Sequence, residues 1–355
     1  MTTQPQLGLK TGHSNQVHQP GASAAESPRR PLIWPVAGGK GGTGKSTLTA
    51  NLGLGLSLLG YKVVLVDGDL GGSNLHLFFE KPVPGANLGD FIAGKVGDLQ
   101  KVILPTQNQN LRLICGSNEF IGMSDLNYEV RKKLYREIEG VDADIILVDL
   151  GAGSANSTLD FFSMSDEGII VITPDPQANV DAYGFITNLV YRKLQLRFSD
   201  NIAVRRAIAE FVQREGNEGT RILDLLELIL RQDRQVGKEA CRIVQGIKLK
   251  IIMNQVWRRR NSAGHLAHVR KLIDASKKFL CLDMEFIGSV RSDNNIRSAN
   301  EKGRPVLLEY PKANASKDIY RIILEGLDLP DRSNHKPTLD ERGMVQMVKS
   351  EAKGW

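Results

Sequence analysis

The segment of this chain best equipped for chemistry is Gly39-Lys40-Gly41-Gly42-Thr43-Gly44-Lys45-Ser46. It fits the pattern GxxxxGK(S/T), and each residue type in it has a physical reason. Gly39, Gly41, Gly42 and Gly44 let successive backbone N–H groups turn inward without Cβ clashes. With Thr43 between them, these donors and the helix start that follows can cradle phosphate oxygens. Lys45 places a cation on the β- and γ-phosphates of a bound nucleotide. Ser46 offers a hydroxyl to Mg²⁺, and Thr47 can bond a further phosphate oxygen. Three carboxylates complete the candidate set. Asp67 ends the apolar run KVVLV (62–66), Asp69 follows two residues later, and Asp149 ends the run DIILV (144–148). The ends of strands in an α/β sheet face the ligand crevice.

Those residues need a scaffold, and the sequence supplies its pieces in alternation. An apolar run at 32–37 precedes the glycine segment, a helical stretch follows at 48–59, and Gly60 closes it as a C-cap. Further runs of buried-strand type lie at 111–115, 168–173, 249–254 and 284–290, with helical patterns between. Such alternation predicts an α/β fold with a doubly wound, mostly parallel sheet, the P-loop NTPase arrangement. Residues 197–246 break the rhythm. They hold no good strand but two helical patterns, 203–214 and 220–231, and are expected as a helical insertion on the edge of the sheet. Residues 1–30 are rich in Gln, Ser, Pro and Gly and are expected to be disordered. The ATPase domain is placed at 31–330, and 331–355 reads as a tail with one short helix.

Lys40 is the residue an ordinary phosphate loop does not require. The string KGGTGKS resembles the deviant Walker A motif of the MinD/ParA family of dimerising ATPases. The resemblance implies that Lys40 crosses a homodimer interface and contacts the nucleotide phosphates of the other subunit, as an arginine finger would. VDGDLGGSNLH (66–76) resembles the family's switch I segment, which implies that Asp69 orients the attacking water and Asp67 lies near the outer shell of the magnesium. LVDLGAG (147–153) resembles Walker B and switch II. There Asp149 would hold Mg²⁺ through water, and Gly151 and Gly153 would let the backbone approach the γ-phosphate. DLGAG is closer to the DTGAG of the FlhG branch than to the DSPAG of MinD. Asn254 fits the family asparagine that reads the adenine edge. In GSVRSDNNIRSANEKGRPVL (288–307), Asp293 falls where the family has an acidic residue near the base, while Arg291 stands where a proline is usual. The resemblance covers about 32–196 and 248–327.

Composition narrows the remaining options. Hydrophobic residues make up 41%, enough for a sizeable core, and aromatics only 6%, which argues against a base-stacking single-strand binder. No apolar run approaches the roughly 20 residues that span a bilayer, and the first residues carry no apolar signal region, so a cytoplasmic protein is expected. Cys115, Cys241 and Cys281 are far apart in sequence, with no CxxC, and read as small buried hydrophobes. The CxxC of Mrp-like cluster carriers is missing, as are the cluster cysteines of nitrogenase iron proteins. The six histidines show no metal-binding spacing. The densest basic stretch is Trp257 with Arg258, Arg259 and Arg260, followed by Arg270, Lys271, Lys277 and Lys278. It is a candidate for non-specific DNA contact or for a solvated face. Met344, Val345, Val348, Ala352 and Trp355 could share one helix face against a membrane surface, although the tail is hardly polybasic.

The expectation that follows is a Mg²⁺-dependent ATPase whose ATP-bound homodimer acts as a switch read by a regulatory protein partner. Spatial positioning of flagella, division sites or DNA is the expected setting. Two other readings stay open: a nucleotide-sensing scaffold with negligible turnover, and an ATP-dependent synthetase of the dethiobiotin-synthetase type.

Overall fold

The computed structural model describes residues 30–81, 85–117, 127–214, 221–257 and 262–330, together with 343 and 346. The expectations of a disordered start and of a short C-terminal helix with an apolar face fall outside these residues, as do Arg258, Arg259 and Arg260.

Eight strands form one sheet: β1 (Leu32–Ala37), β2 (Val63–Asp67), β3 (Ile103–Pro105), β4 (Leu111–Ile114), β5 (Ile145–Asp149), β6 (Glu167–Ile172), β7 (Lys248–Val256) and β8 (Met284–Arg291). Their order is β3-β4-β2-β5-β1-β6-β7-β8. β3 is antiparallel to β4, and the other pairings are parallel. The central strands are runs of β-branched and leucine residues because both of their faces are covered. Successive side chains alternate between two cores. Ile33, Val64, Ile146, Ile170 and Ile251 enter one. Trp34, Val63, Leu65, Leu147 and Val171 enter the other.

The helices are α1 (Lys45–Leu58), α2 (Leu88–Ile92), α3 (Tyr128–Glu139), α4 (Asn156–Ser163), α5 (Pro176–Arg197), α6 (Ile202–Arg214), α7 (Ile222–Gln232), α8 (Arg234–Gly246), α9 (Ser262–Ala275), α10 (Asn294–Glu301), α11 (Val306–Glu309) and α12 (Asn314–Arg321). α1 is buried along almost its whole length and ends at Leu59, before Gly60 turns to a φ of 85°. It shares its core with α11 and α12. α4, α5 and α9 pack on the opposite face. Asp175 accepts a hydrogen bond from Gln177 N (3.0 Å) and Pro176 opens the first turn, so α5 starts with a side-chain cap and a pre-set φ.

The segment after α5 departs from the sequence reading in holding a third helix, α8, capped by Asp233. Ile208, Phe211, Leu225, Leu226 and Val244 join the same buried cluster as the sheet residues Ile170 and Ile251. Helices with strong apolar stripes, as in α7, must bury them, and α5 offers an apolar surface.

Candidate nucleotide site

The loops after β1, β2 and β5 converge at the carboxyl ends of three adjacent strands. The loop after β1 is the glycine segment. Gly42 and Gly44 take φ values of 77° and 87°, which a side chain would oppose. A Cβ on Gly39 would lie 2.1–2.5 Å from backbone atoms of Asp181 and Ala182, so the loop rests directly on α5. Its far side is tied to the end of β7. Asn254 Nδ2 donates to Thr43 O and Gln255 Nε2 donates to Gly42 O, both at 2.8 Å.

Within the cradle, Lys45 is 8% exposed. Burial pulls its ammonium below the ordinary lysine value, and the charges of Asp149 and Asp69 oppose that. Asp149 is the strand-end partner of Asp67 in the β2–β5 register. It lies beneath α1, where Ser46 and Thr49 bond its carboxylate, Thr49 Oγ1 at 3.2 Å from Oδ1. Burial and the neighbouring Asp67 push its carboxyl up to about 7, while Ser46, Lys45 and Thr49 pull it down. Asp67 is raised too, mainly by burial. Two buried carboxylates beside one buried lysine form a cluster suited to a divalent cation and phosphates.

Several expected site residues have further partners. Asp67 has both oxygens committed. Oδ2 accepts from Ser73 Oγ (2.7 Å) and Leu75 N (3.0 Å), and Oδ1 accepts from Asp69 N (3.2 Å), so its carboxylate pins the loop that carries Asp69. Asp69 borders Gly151: a Cβ there would come 3.0 Å from Asp69 Oδ1, which places the two switch-like loops in contact. Gly153, at a φ of 79°, has open space around it. Asp293, expected near a base, caps α10. It accepts from Asn295 N (2.9 Å) and Nδ2 (2.8 Å) through Oδ1, and from Ala315 N (3.3 Å) through Oδ2. Arg291 pairs with Asp318 through Nε and Nη2, each at 2.7 Å. Thr47 presents its hydroxyl to Asn300 Nδ2 at 3.5 Å.

Lys40 is held in an ion pair with Asp175, the cap of α5. The pair is half-exposed, with 33% of the lysine side chain and 48% of the aspartate side chain accessible. Asp175, Thr49 and Gln255 are the contributors that sequence reasoning missed. A threonine one helical turn after Lys45 was a legible signal for Thr49. Nothing local marks the other two.

The residues present fit a magnesium nucleotide. The cradle has room only because its glycines lack Cβ atoms. Thr43 Oγ1 and Asn254 Oδ1 are buried without hydrogen-bond partners beside it, and Asp67 and Asp149 are two buried carboxylates beside the single Lys45. Among the described residues, no group of three or more His, Cys, Asp and Glu could by itself hold a metal ion. The three cysteines are free thiols, and burial pushes Cys115 up to about 12. No helix among the described residues is long and apolar enough to cross a membrane.

Comparisons with known proteins agree with this geometry. A family model described as the CobQ/CobB/MinD/ParA nucleotide binding domain matches residues 34–306. The antiactivator FleN of Pseudomonas aeruginosa is 23% identical over 283 residues, which cover 79% of this chain and 81% of that protein. The flagellum site-determining protein YlxH of Helicobacter pylori is 36% identical over 153 residues, 42% of this chain and 51% of the relative. Among solved structures, the septum site-determining protein MinD of Pyrococcus horikoshii complexed with Mg-ADP superposes with a TM-score of 0.56. Its identity is 22%, over 84% of this chain and 97% of the other. At that identity the likeness speaks for the fold.

Proposed function

Because this chain belongs to the CobQ/CobB/MinD/ParA nucleotide-binding family, we propose that it is a Mg²⁺-dependent ATPase whose ATP-bound form is a face-to-face homodimer. The observation that carries this reading is the pair of lysines in one loop. Lys45 is sunk in the cradle, whereas Lys40 stands at the rim on Asp175. A partly exposed lysine paired with an aspartate can exchange that partner for the phosphates of a second subunit.

Bound Mg-ATP would supply the scissile phosphoanhydride and, in its metal, a positive charge for the buried carboxylates. The chain's own groups then divide the work. Loop N–H groups and Lys45 hold the phosphates, with Thr43 and Thr47 hydroxyls beside them. Ser46 and Asp149 are the metal-holding groups. Asp67 fixes the loop that presents Asp69, and Asp69 orients water for attack. Lys40 leaves Asp175 and places its charge on the phosphates of the opposite subunit, where charge builds during transfer. Asn254 keeps a free Oδ1 for the base while its amide nitrogen holds the loop.

The relatives named for flagellum and septum site determination support a role as a positioning switch, with a regulatory protein reading the dimer. The basic residues on and after α9 are a weaker case for DNA, since Lys277 is already paired with Asp283 at 2.9 Å. Membrane contact rests on residues 344–355, outside the described region. Phosphate release and sedimentation, with and without ATP, DNA or lipid vesicles, test the reading. Turnover lost in Lys45→Ala, together with an ATP-dependent dimer, is the expected result. Negligible turnover under every condition would favour the scaffold reading instead.

A further inference from the structure

Asn254 and Gln255 are neighbours in β7, and neighbours in a regular strand point to opposite faces of the sheet. Here both side chains reach the same loop. Asn254 Nδ2 donates to Thr43 O and Gln255 Nε2 donates to Gly42 O, each at 2.8 Å. The backbone leaves the strand pattern at this point. Gln255 has a φ of 58°, in the left-handed region. The pairing with β8 slips as well. Met253 stands opposite Ser289 and Val256 opposite Arg291, so β7 holds one residue more than β8 between the two pairs. A bulge of this kind re-aims a side chain.

The left-handed region is unfavourable for a residue with a long side chain, and such a conformation persists only where surrounding contacts hold it. Gln255 does not need the bond for itself. It is exposed, and water could serve its amide in an ordinary strand conformation. The group that needs the bond is the peptide it holds. A Cβ on Gly42 would meet nothing within 4 Å, so packing does not fix this stretch of the loop, in contrast to Gly39 against α5. Among the described residues, Gly42 has no hydrogen-bond partner besides Gln255. Glycines at 41, 42 and 44 let the peptide planes rotate with little steric resistance. In a trans peptide the carbonyl and the N–H that follows it point in opposite directions. Holding Gly42 O and Thr43 O at the end of β7 therefore fixes where Thr43 N–H and Gly44 N–H point.

We propose that Gln255 is a positioning residue for the nucleotide phosphates: with Asn254, it locks two successive peptide planes of the glycine loop in the orientation that binds. The bulge and the left-handed backbone bring its side chain onto the same loop as that of Asn254. A loop ordered beforehand loses less freedom when the ligand arrives, and binds more tightly for that reason. This role rests on the reading of the loop as a phosphate cradle.

The test is calorimetric titration of the full chain with Mg-ADP, alongside the melting temperature of the ligand-free chain, for Gln255→Ala and Gln255→Gly. Both variants lose the bond to Gly42, but only glycine relieves the backbone at this φ. Gln255→Gly should melt above Gln255→Ala, yet both should bind Mg-ADP about fivefold or more weakly than the unaltered chain. Affinity restored in Gln255→Gly would make the residue's effect one of backbone strain alone and overturn the role, as would unaltered affinity in both variants. If the unaltered chain itself fails to bind Mg-ADP, the cradle reading falls and this role falls with it.

Discussion

Lys40 and Asp175, 135 residues apart in the chain, are joined by an ion pair that holds the lysine of the phosphate loop against the capping residue of α5. The Lys40 hydrogen bond holds the Asp175 carboxyl below the usual carboxylate range. The loop and the start of α5 are thus connected twice, by this pair and by the close packing of Gly39 on Asp181 and Ala182. In the proposed dimer, a lysine so placed would have two competing partners, its own aspartate and the phosphates of the other subunit. ATP shifts the balance only by offering the second.

Replacing that aspartate should therefore favour the dimer. Asp175→Asn keeps an N-cap side chain for α5 but removes the charge that retains Lys40. Sedimentation should show ATP-dependent dimers at lower ATP concentrations than for the unaltered chain. An unchanged ATP requirement would mean that the ion pair does not restrain the lysine.

Asp69→Ala should bind ATP and stop there. The variant keeps Lys45, Ser46 and Asp149, so the expected outcome is a long-lived ATP-loaded dimer with phosphate release reduced at least about a hundredfold. Ordinary turnover would remove Asp69 from the water-orienting role.

The ligand-free chain should lose stability as pH rises from about 4 to about 7. Asp149 is pushed up to about 7 by burial and by Asp67, whereas an unfolded aspartate titrates near 3.9. In that window the folded state binds the extra proton. The stabilisation is complete below the unfolded value and is lost as pH climbs through the folded one. At roughly 1.4 kcal/mol per unit, a few kcal/mol are at stake. Asp149→Asn should flatten the profile of melting temperature against pH. A slope as steep as in the unaltered chain would assign it to other groups.

Gly44→Ala should damage the cradle. At a φ of 87° any side chain is strained, and a Cβ would lie 2.3 Å from Asn254 Nδ2, the amide that holds Thr43 O. Strain of about 1–2 kcal/mol and loss of that hydrogen bond should weaken nucleotide binding about tenfold or more. Fluorescent-nucleotide titration measures it, and unaltered affinity would show that the loop relaxes freely.

The parts legible in the sequence were those whose signal is local. Buried parallel strands are continuous apolar runs, so β1, β2, β5 and β6 stand out, as does the glycine loop between β1 and α1. β3 escaped because three residues ending in Pro105 make no pattern. α8 escaped because Arg, Gln, Lys and Glu occupy its outer face and leave a narrow apolar stripe of residues such as Ala240 and Val244. Contacts made across the fold were illegible by nature: Lys40 with Asp175, and Gln255 with Gly42. Asp293 is a different case. An aspartate before Asn294–Glu301 is a plain N-cap signal, and the sequence reading weighed only its place near a base.

The most direct measurement is phosphate release from a mixture of Lys40→Ala and Asp69→Ala chains, each of which should be nearly inactive alone. In a mixed dimer, the Lys40→Ala subunit keeps its own Asp69 and can receive Lys40 from its partner. Recovery of turnover on mixing, rising with the mixed-dimer fraction, is the predicted result. Turnover that stays at the sum of the two separate variants would contradict a lysine acting from the opposite subunit.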